Sequence, residues 1–397
     1  MTIFLLFLAA LLEGADIVSM GLAAPQVAKA YGFGPGDMAY ILTAAIVGLM
    51  GGAAVGGRLG DLLGRKRVLL FAFFALAVFS LATAFATDLT QFITVRLLCG
   101  LGLGAAFPNL IALAAEASRS GEKSTGVGLM FAGQPIGGTL LALFIASQAG
   151  AFDWRVIFYI GGGLPLLLLP VLALALPESA AFKAARAAVA GEAEAVRRPP
   201  VAFALFSEGR TTVSLLLWIS YAFTQVIIYL LNNWLPTLMV AKGFTLQQAG
   251  LISAFENVGA AAGCVLLGLY ADRGHLRMVI GAGYAITALS LFALGAAEGF
   301  WVVAGVGVVV GFFVVGVQVV LYAVAPAYYP TLVRATGVGA AISFGRLGGI
   351  AGPLAAGKLL ALGMTPAGVL MTATPFAVVA GLAGLAVVFR PRPPEAE

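Results

Sequence analysis

Glu13 and Asp16 stand three residues apart in a long apolar stretch near the start of the chain. On a helix that spacing puts both carboxylates on one face. Two acids so close in a low-dielectric setting cannot easily both ionise, so the pair suits a proton carrier. The plainer alternative is that each hydrogen-bonds a neighbouring helix. Glu256 is a third acid inside an apolar run, able to bind a proton, pair with an arginine or shape a cavity. Arg346 lies about a dozen residues into its run, roughly 18 Å along a helix. Guanidinium stays charged and holds a carboxylate through two parallel hydrogen bonds, which suits an anionic ligand. An internal salt bridge to Glu256 or Asp16 is the competing use. Arg96 offers a second cation. Tyr229, Asn232, Asn233 and Trp234, with Gln318 and Tyr322, could supply aromatic walls and hydrogen bonds to a ring hydroxyl. Trp234 also fits a membrane-interface anchor.

The elements that carry these residues are set by composition. Of 397 residues, 61% are hydrophobic and only 10% charged, far from the balance of a water-soluble domain. Apolar runs of about 20 residues, the length that crosses a bilayer, recur from end to end. They fall near 3–30, 38–59, 68–87, 90–117, 124–148 and 155–176, then 212–240, 247–270, 277–297, 299–326, 335–362 and 367–390. The expected fold is therefore an all-α membrane protein of twelve transmembrane helices. The first run lacks a basic leader and a cleavage site and is interrupted by Glu13 and Asp16, so it reads as a retained helix rather than a signal peptide.

The net charge of +5 does not point to nucleic acid, because the basic residues sit in gaps between apolar runs. Cys99 and Cys264 lie in different halves without metal or redox spacing and read as small core residues. The glycine-rich stretches Gly100–Gly104 and Gly133–Gly138 follow no strand, so they are packing surfaces rather than nucleotide loops. No metal or cofactor is expected, and no nucleophile and base constellation suggests an enzyme. The lone histidine, His275, is in a polar loop, which leaves carboxylates as the proton sites.

The chain divides into a six-helix bundle at 1–176, a polar linker at 177–210, a second six-helix bundle at 211–390 and a short tail at 391–397. Arg58, Arg65, Lys66, Arg67, Arg210, Arg273, Arg277 and Arg390 fall on one side of this arrangement, whereas few cations, such as Lys29, Arg155 and Lys242, fall on the other. Lys/Arg-rich short loops remain cytoplasmic, so both termini and the linker are expected inside. The halves also share a loop. Gly57 to Asp61, followed by Gly64, Arg65, Lys66 and Arg67, joins the second and third runs. Gly268 to Asp272, followed by Arg273, Gly274 and Arg277, joins the eighth and ninth and is one residue shorter. That recurrence is expected of parallel repeats.

These residues resemble the major facilitator superfamily, over almost the whole chain. The Gly57–Arg67 loop is similar to its signature between the second and third helices, and Arg96 to Gly104 to its fourth-helix pattern. Gly133-Gln134-Pro135 resembles its fifth-helix Gly-Pro pattern with Gln134 intervening, and Gly352-Pro353 has the adjacent pair. Glu13-Gly14-Ala15-Asp16, Leu176-Pro177-Glu178-Ser179, Trp234-Leu235-Pro236-Thr237 and Gly345-Arg346-Leu347-Gly348 are similar to aromatic acid:proton symporters, especially those of hydroxyphenylpropionate type. The resemblance implies a fold of two pseudo-symmetric bundles in the inner membrane. It further implies proton-coupled import of a small organic anion by a monomer, through alternating access. Arg346, Tyr229, Asn232, Asn233, Gln318 and Tyr322 would contact substrate, and Asp16, Glu13 and Glu256 would couple protons. Gly57, Asp61, Gly64, Arg65, Arg67, Arg96, Asp272, Arg273, Pro135 and Pro353 would gate. A drug:proton antiporter, a carrier of sugars or other organic acids and, in another class, a membrane enzyme or receptor are the alternatives.

Overall fold

The computed structural model describes residues 2–117, 128–148, 153–179, 205–207, 210–329 and 334–390, apart from the side chains of 54, 58, 61, 115, 272, 323, 326, 334–336 and 338. Most of the 177–210 linker and the 391–397 tail lie outside these residues, as do the side chains of Asp61 and Asp272. Every regular element among the described residues is helical.

The chain forms two compact units, residues 1–194 and 195–397. The first holds α1 (Thr2–Tyr31), α2 (Pro35–Leu63), α3 (Arg65–Thr83), α4 (Leu89–Ala117), α5 (Gly133–Ser147) and α6 (Arg155–Ala175). The second holds α7 (Thr211–Ala241), α8 (Leu246–Tyr270), α9 (Leu276–Ala296), α10 (Phe300–Val324), α11 (Arg334–Ala361) and α12 (Pro366–Val388), the last turning briefly at Thr372–Ala373. Eleven of these twelve are long and apolar enough to cross a membrane. The remaining one, α11, has the length at 28 residues, but its run is diluted by glycines, Arg346 and Lys358. At 30 residues, α1 extends roughly 45 Å, well beyond a hydrocarbon core of about 30 Å.

Small residues decide which helices touch. In the first unit α1 packs on α5, and α2 on α4; in the second α7 packs on α11, and α8 on α10. A Cβ on Gly48 or Gly52 of α2 would lie 2.1 or 2.2 Å from the backbone oxygens of Leu97 and Leu101 on α4, so no larger side chain fits. Gly259 and Gly263 of α8 meet Val308 and Phe312 of α10 in the same way, at 2.1 and 1.9 Å. Such four-residue spacing lets spanning helices approach to backbone contact. Helix endings repeat as well: the Phe33 N–H donates to Ala28 after α1, and the Phe244 N–H to Met239 after α7, each closing a six-residue cap.

The shortened copy of the shared loop has a physical reading. In the first copy Gly64, three residues after Asp61, takes φ +106° and separates α2 from α3. In the second, Gly274 stands two residues after Asp272 at φ +92°, and a π-helical turn, Ala271–His275, leads into α9. Each loop needs one left-handed residue to reverse the chain, and glycine supplies it without a Cβ clash.

Candidate functional site

In the first unit the site is built around Asp16, which is fully buried on α1. Ser80 Oγ of α3 donates to its Oδ1 at 2.8 Å. Arg96 of α4, itself buried, brings Nη1 to 3.3 Å from Oδ2, and its Nη2 reaches the Asp16 carbonyl at 3.4 Å. Cys99, one helical turn further along α4, places its thiol 3.4 Å from Oδ2. Gly161 of α6 closes the other side: a Cβ there would sit 3.0 Å from Ser80 Oγ. A carboxylate in a dry interior is costly unless charge and hydrogen bonds compensate it. Asp16 has both, drawn from two other helices. The Arg96 guanidinium also lies 5.9 Å from the Phe158 ring centre, within cation–π range.

Glu13, also buried, draws on a different helix. Its Oε2 accepts from Gln134 Nε2 of α5 at 3.0 Å. That bond spans a backbone contact, since a Cβ on Gly14 would fall 2.1 Å from the Gln134 carbonyl oxygen. The two carboxylates read as one pair are therefore held by different clasps, Asp16 by α3 and α4, Glu13 by α5. Gln134, which in sequence only interrupts a Gly-Pro pattern, supplies the amide.

In the second unit Arg346 is 9% exposed, and its Nη1 donates to Tyr229 Oη at 2.6 Å across the α7–α11 contact. The contact is close because glycines flank the arginine. A Cβ on Gly348 would lie 1.8 Å from the Ala222 carbonyl oxygen, and one on Gly345 would lie 3.2 Å from Tyr221 Cβ. Trp234 adds a bond from its indole Nε1 to the Pro353 carbonyl at 3.2 Å. Trp234 is buried, which corrects its reading as an interface anchor. Tyr322 of α10 lies edge-on to Tyr221, ring centres 5.1 Å apart, and within electrostatic reach of Arg346 and Tyr229. Gln318, one turn before Tyr322, is 3% exposed; its amide faces the Tyr322 hydroxyl, but neither Nε2 nor Oε1 closes a hydrogen bond of regular geometry.

Glu256 does not pair with Arg346 among the described residues. Its Oε2 accepts from the adjacent Asn257 amide at 3.1 Å, and its backbone packs on Gly311 of α10. Asp16 is paired with Arg96 within the first unit. Asn233 turns its amide onto the Tyr229 carbonyl of its own helix at 2.9 Å, satisfying a backbone group rather than facing a ligand. Asn232 is half-buried beside it.

Arg65, one of the residues expected to gate, joins a network at the loop end of the first unit. Arg65 at the start of α3 pairs with Glu116 near the end of α4. Glu116 Oε2 accepts from Ser179 Oγ at 2.7 Å, and Glu178 Oε1 accepts from the Lys66 backbone N–H at 3.0 Å. An acid at a helix N-terminus meets the positive end of the helix dipole. Arg67 and Arg273 are exposed, and Gly57 is half-buried. Pro135 opens α5, its carbonyl accepting from Thr139 Oγ1 at 2.9 Å. Sequence reasoning missed Ser80, Gln134, Glu116 and Asn109. Asn109 clamps α2 to α4 by donating to the Gly56 carbonyl at 3.1 Å and to that of Ala105 at 2.8 Å. An isolated polar side chain in an apolar run is the one signal they leave.

Two six-helix units with charged clasps inside spanning helices define a multi-pass membrane transporter, and comparison with known proteins agrees. The Major Facilitator Superfamily model matches residues 6–275 and 217–397, and the chain belongs to that superfamily. It is 44% identical to the 3-(3-hydroxy-phenyl)propionate transporter of Escherichia coli, over 96% of this chain and 92% of that one. It is 37% identical to the gallate transporter of Pseudomonas putida (91% and 85% covered) and 35% identical to the 4-hydroxybenzoate transporter PcaK of the same organism (98% and 91%). Among solved structures, a variant of the nucleoside transporter NupG superposes with a TM-score of 0.77 at 16% identity, covering 98% of this chain and 100% of that one. An inward-facing, occupied bacterial homolog of the human lysosomal transporter Spinster gives 0.74 at 15%, covering 97% and 96%. These relatives and neighbours are transporters, not enzymes.

Proposed function

We propose that this chain is a proton-coupled symporter that imports a small aromatic carboxylate across the inner membrane by alternating access, as a monomer with both termini cytoplasmic. The observation that carries the reading is Arg346, a buried guanidinium bonded to Tyr229 beside Tyr322 and Gln318. A guanidinium stays charged and can take a carboxylate through two parallel hydrogen bonds. The relatives named for hydroxylated aromatic acids support the same substrate class.

In this mechanism Arg346 takes the substrate carboxylate, with Tyr229 holding the guanidinium in place and Tyr322 flanking the ring. Asp16 carries the coupled proton. Protonation of Asp16 releases Arg96 from its ion pair, which gives the first unit two states differing in one buried bond. Glu13 with Gln134 reports the same change to α5, and Glu256 is a second proton-binding acid on α8. Asp61, Gly64, Arg65, Glu116 and Glu178 latch the first unit, and Asp272 with Arg273 forms the lesser counterpart. Purified protein in liposomes, given an inward pH gradient and a radiolabelled aromatic acid, tests the reading. Accumulation that collapses with the gradient is expected; uptake indifferent to pH argues against coupling.

A further inference from the structure

Among the described residues of the second unit, Trp218, Thr237 and Thr374 each bury one polar atom outside regular hydrogen-bond geometry, and Gln318 buries two. Gln318 is 3% exposed, and although its amide faces the Tyr322 hydroxyl, neither end closes a hydrogen bond of regular geometry. Burying an amide without partners is unfavourable, and natural interiors rarely leave both ends unmet. The residue shares a face of α10 with Tyr322, one turn away, and Tyr322 lies edge-on to Tyr221, which packs against Gly345 next to Arg346. The unmet amide therefore belongs to the same cluster as the guanidinium.

We propose that Gln318 is the specificity-determining residue that reads a phenolic hydroxyl on the substrate ring while Arg346 holds the carboxylate. This rests on the aromatic-acid reading above and narrows it to hydroxylated acids. The chemistry is one of matching. An amide offers an N–H donor and a carbonyl acceptor. A hydroxyl uses both at once, a second carboxylate can only accept and would oppose the carbonyl, and a bare C–H edge uses neither. Tyr322 and Tyr221 form an edge-on aromatic pair beside it, which suits a flat ring between the two polar anchors. A site built to bond a hydroxyl discriminates against the analogue without one, because its own polar groups are then stranded.

The test compares initial uptake of 3-(3-hydroxyphenyl)propionate and 3-phenylpropionate by the full chain in liposomes, read as the ratio of the two rates. Wild type should favour the hydroxylated acid. Gln318→Leu should lower that ratio on the order of tenfold. The ratio of dissociation constants for purified Gln318→Leu and Gln318→Met should shift in the same sense, which separates selectivity from any loss of transport. An unchanged ratio in both variants overturns the assignment to Gln318 and leaves the carboxylate site standing. Wild-type protein that takes up neither acid overturns the aromatic reading itself.

Discussion

Arg96 on α4 and Asp16 on α1 form a buried ion pair at 3.3 Å, with Ser80 completing the carboxylate's hydrogen bonds at 2.8 Å. Each charge exists in that interior because of the other. Removing one partner strands the second, at a cost of about 3–5 kcal/mol. Arg96→Ala should therefore melt well below wild type in detergent, while Asp16→Asn with Arg96→Gln should recover much of the loss. Equal melting points for the single and double variants would show that the pair is not a structural unit.

Asp16→Asn separates coupling from substrate exchange. The amide retains an acceptor for Ser80 but cannot titrate. Gradient-driven accumulation should disappear while counterflow of labelled against unlabelled acid persists. Wild-type accumulation in this variant would remove Asp16 from the proton path.

Arg346→Ala should abolish binding of the acid with the fold retained, since the site loses a charge but no backbone contact. Tyr229→Phe removes the bond at 2.6 Å. A hydrogen bond to a charged group contributes about 1.5–3 kcal/mol, so affinity should fall on the order of tenfold or more. Titration calorimetry on both variants reads this directly, and unchanged affinity in Arg346→Ala would sink the carboxylate assignment.

Close packing makes its own prediction. Gly137 of α5 faces the Leu11 carbonyl of α1, and a Cβ there would lie 1.8 Å from that oxygen. Gly137→Val should yield little folded protein, whereas Gly163→Val, whose Cβ meets nothing within 4 Å, should be tolerated. Fluorescence-detected size exclusion on the two variants compares them side by side.

Much of this fold was legible because the bilayer imposes a length on each helix, so apolar runs mark α1 to α12 with small errors at their ends. For example, α2 runs on to Leu63 rather than 59, and α3 stops at Thr83 rather than 87. The ionisable residues were legible for the same reason, since charge stands out in an apolar run. Their partners were not. Which cation Asp16 meets within the first unit is decided by the packing of α1 against α4, which gives it to Arg96. Glu13 and Asp16 share spacing but not surroundings, because helix rotation and glycine contacts, invisible in residue order, decide which neighbour each side chain meets. Cys99 illustrates the limit: it packs in the core as expected, and also lies against Asp16.

The most direct test of the central claim is uptake of 3-(3-hydroxyphenyl)propionate into liposomes holding the purified chain, with the interior more alkaline than the exterior. The account predicts accumulation above the external concentration, reversed to efflux when the gradient is inverted and absent in Asp16→Asn. Uptake that only equilibrates, whatever the gradient, would contradict it.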